Sequence, residues 1–103
     1  MARTDTVPIK YRDFYDVPRM FVVQRGTTLL LFDCPFNEGI DGFGEAYNVY
    51  QLPMTCRAVV DGAGDWRSLP LSGRLVGSVM VADMCFDPSK RQWIDGAILE
   101  RFR

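Results

Sequence analysis

Histidine is absent from the 103 residues. It is the only side chain whose ordinary pKa lies between about 5 and 8. Ser-His-Asp catalysis, Cys-His catalysis and histidine metal ligation therefore cannot be assembled from this chain alone. Acid–base chemistry at neutral pH would need a strongly shifted Asp, Glu or Cys. Cysteine is scarce: Cys34, Cys56 and Cys85 are widely spaced, odd in number and form no C-x-x-C pair. That argues against a disulfide framework and a zinc site, and fits free, buried thiols in a reducing compartment. Long apolar runs are missing too. Residues 29–32 are far too short to span a bilayer, and the start, MARTDTVPIKYRD, lacks the apolar stretch of a signal peptide. These absences predict a cytoplasmic protein with no membrane segment and no cofactor.

Net charge is −1, without the basic excess that draws a domain to polyanions. The charges are unevenly spread along the chain. Residues 1–25 and 67–103 are basic on balance. Residues 26–66 set Asp33, Glu38, Asp41, Glu45, Asp61 and Asp65 against Arg57 alone. Either the fold intermixes these segments or the surface is dipolar.

What is present is a rhythm of short β-type runs punctuated by Gly, Pro and Asp. Residues 8–14 (PIKYRDF) and 19–25 (RMFVVQR) predict two strands, and Gly26 supplies the positive φ of a tight hairpin turn. Residues 28–34 (TLLLFDC) are almost continuously apolar, so both faces of that strand are expected to be covered. Residues 43–52 predict a further strand with Phe43, Tyr47 and Val49 on one face. In residues 54–60 (MTCRAVV), Met54, Cys56, Ala58 and Val60 alternate with Thr55 and Arg57, the pattern of a half-buried strand. Residues 61–65 form a turn cluster, and Gly62, Ala63 and Gly64 lack the Lys and helix of a phosphate loop. Residues 69–73 read as irregular. Residues 74–86 are long for one strand, so a bend or bulge is expected near Gly77. Residues 87–90 (DPSK) match a type I turn before a strand at residues 92–95. Residues 97–102 fit either a strand or a helical turn.

No helical spacer suited to a parallel sheet is visible. The expectation is a single all-β domain over residues 1–103 with at most one short helix. A small antiparallel barrel of six or seven strands comes first and a sandwich second.

Candidate functional residues are few. Asp83 lies inside an apolar run, where desolvation would raise its pKa; the plainer reading is an ion-paired carboxylate near a strand end. Cys85 beside it would have its thiolate suppressed by that negative charge. Asn37, Glu38, Asp41 and Glu45 offer oxygen ligands, but their spacing is not that of an EF-hand. Tyr11, Arg12, Tyr15 and Arg19 interleave rings with cations, the chemistry of single-strand nucleic-acid binding. Trp66, Trp93 and Arg74 complete the candidate binding residues; the tryptophans also read as packing with the indole N–H facing a partner or water.

No motif assigns a reaction. The first expectation is a non-catalytic binding or protein-interaction module, acting through an open edge or an exposed aromatic patch, with a homodimer as one form. Nucleic-acid binding through the basic termini is second, and a small enzyme using Asp83 third.

Overall fold

The computed structural model describes residues 6–62 and 65–102. Arg3 and Arg103 of the basic termini, and Ala63 and Gly64 of the turn cluster, lie outside them. The frame is one six-stranded antiparallel sheet. Strands β1 (Thr6–Phe14), β2 (Pro18–Arg25) and β3 (Thr28–Asp33) form a meander. A small ribbon of β4 (Phe36–Asn37) and β5 (Gly42–Phe43) follows. Strands β6 (Ala46–Leu52) and β7 (Arg74–Met80) extend the sheet on one side, and β8 (Trp93–Asp95) pairs with β1 on the other. The order is β7-β6-β3-β2-β1-β8.

Local chemistry accounts for these elements. Gly26 has φ 59°, the left-handed turn conformation that joins β2 to β3. In β7, Val49 faces Gly77 while Tyr50 faces Leu75, so Val76 is the extra residue of a bulge. Lys90 N–H donates to the Asp87 carbonyl at 2.8 Å, closing the expected turn. The Asp87 side chain accepts from the Arg91 and Gln92 amides and from the Ser89 hydroxyl.

Both faces of the sheet are covered. On the first, Phe21, Leu30, Phe32, Cys34, Tyr47, Val49 and Val79 pack against Met84, Ile94, Ile98 and Leu99. Phe21 and Phe32 stack at 4.7 Å, and the Tyr47 ring meets both edge-on. On the second, Met20, Val22, Leu29, Leu31 and Leu52 pack against Cys56, Val60, Trp66 and Leu69. The β3 residues alternate between the two clusters, as their continuous apolar run requires.

The sheet is not closed into a barrel. The connection from β6 to β7 crosses one face and the segment after β7 covers the other, so both apolar faces are buried without the edge strands meeting. The outer edge of β8 is capped: Phe86 bridges Ile94, and Asp95 N–H donates to the Cys85 carbonyl at 2.9 Å. Among the described residues no strand pairs with the outer edge of β7.

The all-β expectation also needs correction between residues 53 and 73. Residues 54–60 are not a strand. Met54–Cys56 form a 3-10 turn and α1 spans Arg57–Asp61; a second 3-10 turn, Trp66–Ser68, leads into α2 (Leu69–Ser72). Cys56 and Val60, four apart, are buried while Met54 and Ala58 are exposed, the helical spacing. Residues 96–102 are 3-10 turns, and β7 stops at Met80 before another such turn over Val81–Asp83. No helix among the described residues is long and apolar enough to cross a membrane.

Candidate functional site

Register sorts the residues of the sheet between two ends. Asp33, Asn48 and Met20 share one end; Arg25, Thr28, Leu29, Leu52, Gln51 and Arg74 share the other. The first end carries a cluster of exposed apolar side chains. Tyr15 is 73% exposed, Ile40 63%, Phe36 51% and Met80 45%. The Phe43 ring joins the two aromatic members, 5.7 Å from Tyr15 and 5.4 Å from Phe36. Beside it opens a shallow cleft of about 440 Å³, lined by Arg19, Phe43, Gly44, Glu45, Met80, Val81 and Ala82.

Arg19 holds this surface in place. The side chain is buried, and its guanidinium lies 5.0 Å from the Phe43 ring centre. It donates to Asp16 Oδ1 through Nε at 3.0 Å and Nη2 at 2.5 Å, and to the Gly44 carbonyl at 3.2 Å. The Cys34 thiol sits 3.4 Å from Nη1 and itself donates to Gly44 O at 3.1 Å. Burial works against the Arg19 charge, but the hydrogen bonds to Asp16 and Cys34 outweigh it and hold its pKa above the ordinary value. Burial likewise opposes the Asp16 charge, and the Arg19 and backbone hydrogen bonds prevail, holding that carboxyl below its usual range. The Tyr47 hydroxyl donates to Pro18 O at 2.6 Å, and burial pushes its pKa up.

Carboxylates frame the patch. Glu38 and Asp41 lie in the turn between β4 and β5, whose start is capped by Asn37 accepting from Gly39 N–H at 2.9 Å. Glu45 lies in the cleft wall, and Asp13 and Asp16 lie on the β1–β2 side. The nearby cations are engaged: Lys90 donates to the Asp16 carbonyl, and Arg91 lies 4.5 Å from the Phe14 ring centre.

The remaining sequence candidates are dispersed. Tyr11 is half-buried, 5.8 Å from Phe14. Arg12 donates to the Gly62 carbonyl and lies 5.0 Å from the Trp66 ring centre. Trp66 is buried and donates to Val59 O at 3.3 Å. Trp93 is half-buried opposite Pro8. Asp83 is half-exposed and pairs with Arg101 at 3.6 Å. Cys34 and Cys56 are buried, Cys85 is exposed, and all three thiols are free. Among the described residues no group of three His, Cys, Asp or Glu could hold a metal ion. Of the sequence candidates the patch unites Tyr15 and Arg19. Phe36, Ile40, Phe43 and Met80 carried no sequence signal as site residues, because an apolar residue in a β-rich chain reads as core by default. No protein-family model matches this chain, and no match was found among curated proteins or among solved structures.

Proposed function

We propose that the chain is a non-catalytic protein-interaction module. Its contact surface is the aromatic patch of Tyr15, Phe36, Ile40, Phe43 and Met80, and its partner presents an apolar or aromatic segment flanked by Lys or Arg. The observation that carries this reading is the ring cluster around Phe43, exposed to solvent yet held by the buried Arg19 network. Aromatic, Met and Arg side chains are the types enriched in contact surfaces, and a fixed anchor loses little entropy on binding. The framing carboxylates Glu38, Asp41, Glu45 and Asp16 supply the complement to a basic flank and steer its approach.

A peptide array tests this. Peptides with Phe, Trp or Leu centres and Lys or Arg flanks are compared with the same centres flanked by Glu, and amide shifts are followed by NMR. The expected result is saturable binding of the basic-flanked set, with shifts at Tyr15, Phe36, Ile40, Phe43 and Met80. Tyr15→Ala and Ile40→Asp, both at exposed positions, weaken it about tenfold or more. Equal binding of both flank types, or shifts elsewhere on the domain, would overturn the reading. So would concentration-dependent self-association through the patch.

A further inference from the structure

The opposite end of the sheet holds a second, chemically distinct cleft of about 260 Å³. It is lined by Arg25, Arg74, Arg101, Gln51 and Thr28, with Leu30, Val76 and Phe102 as its apolar wall. The side chains of Arg25, Arg74 and Arg101, from β2, β7 and the C-terminal turns, line it together, and among the described residues no carboxylate is in its lining. Each guanidinium carries five N–H donors. Arg25 donates to Leu99 O at 2.8 Å and meets Glu100 at 3.5 Å. Arg74 donates to Gln51 Oε1 at 2.8 Å, and Arg101 meets Asp83 at 3.6 Å. Among the described residues these contacts orient the groups while using a minority of their donors.

From this shared lining we infer a binding site for a small organic phosphate. A tetrahedral dianion suits forked guanidinium donors arriving from several directions. Gln51 and Thr28 add neutral polar groups, and the Phe102 ring with Leu30 and Val76 offers contact to the organic part of the ligand. The volume falls just below the roughly 300–1,000 Å³ of drug-sized sites, which points to a metabolite-sized molecule. The site shares no lining residue with the aromatic patch and stands independently of it.

Phenyl phosphate is the probe, titrated by NMR and calorimetry at low salt beside inorganic phosphate and phenol. The expected result is saturable binding of phenyl phosphate, tighter than inorganic phosphate, with phenol silent and amide shifts at Thr28, Gln51, Val76 and Phe102. Arg74→Gln and Arg101→Gln, both at exposed positions, each weaken binding about fivefold, the worth of one hydrogen bond. An unchanged urea midpoint in each variant confirms that the fold is retained. Absence of saturation by about 20 mM probe, a weak-binding ceiling, would overturn the inference, as would undiminished binding in the double variant. Preferential binding of single-stranded oligonucleotide, with shifts spread beyond the cleft, would overturn it in favour of a polyanion surface.

Discussion

The two ends of the sheet share the same strands and differ in almost everything else. At one, carboxylates frame a cluster of exposed rings, and the buried cation Arg19 is spent on internal contacts. At the other, three arginines line a small cleft with no carboxylate in its lining among the described residues, though Arg25 and Arg101 pair with Glu100 and Asp83 beside it. One strand reaches both sites, since Arg19 and Arg25 lie near opposite ends of β2. The sequence posed a choice between intermixed charge and a dipolar surface. Acids still reach the arginine cleft, where Glu100 meets Arg25 and Asp83 meets Arg101, so opposite charges intermix there, while the acidic turn between β4 and β5 belongs to the other end.

The largest expected effect comes from removing the support of the acidic end. Arg19→Ala deletes hydrogen bonds to Asp16 and Gly44 and the contacts to Cys34 and Phe43. It is expected to cost about 2–3 kcal/mol, seen as a lower urea midpoint, and to disperse the patch. Phenyl phosphate binding at the basic end should survive under native conditions; its joint loss would show that the ends are not independent.

The basic end is perturbed more gently. A Cβ on Gly77 would stand 2.9 Å from Phe102 Cε1, so Gly77→Ala forces the ring that walls the arginine cleft to shift. A cost of about 1 kcal/mol is expected from such overpacking, with weaker phenyl phosphate binding and unchanged NMR shifts at Tyr15 and Ile40. Movement at both ends would blur the comparison.

The smallest effect is a pH dependence at the acidic end. Burial, and then the charge of Asp13, raise the Asp33 pKa; the two flank Met20 in one cross-strand row. The folded state therefore holds the Asp33 proton to higher pH than the unfolded chain does. Its charge costs stability at neutral pH, and that cost fades as pH falls through the raised value. Asp33→Asn is expected to raise the neutral-pH urea midpoint slightly, with the gain shrinking in acid and gone only below about pH 4, the unfolded value. A gain that persists unchanged in acid would mean the charge is not its source.

Much of the meander was legible. The runs behind β1, β2 and β3, the positive φ at Gly26, the turn at Asp87 and the bulge beside Gly77 follow from residue types acting over a few neighbours. Residues 54–60 misled because Met54 and Ala58 fit period two as well as Cys56 and Val60 fit period four. Only packing against Leu29, Leu31 and Leu52 made the choice. Of the acidic patch, Tyr15 and Arg19 could be singled out; of the arginine cleft, Arg74 alone.

The sequence by itself determined an antiparallel, two-sided β-core without histidine chemistry, because alternation and turn residues act locally. Tertiary structure alone decided that the sheet stays open, that among the described residues β8 is capped while β7 is not, and that Arg25, Arg74 and Arg101 line one cleft. Those outcomes depend on which covering segment buries which face. Contacts between residues tens of positions apart settle that, and no short window of sequence contains them.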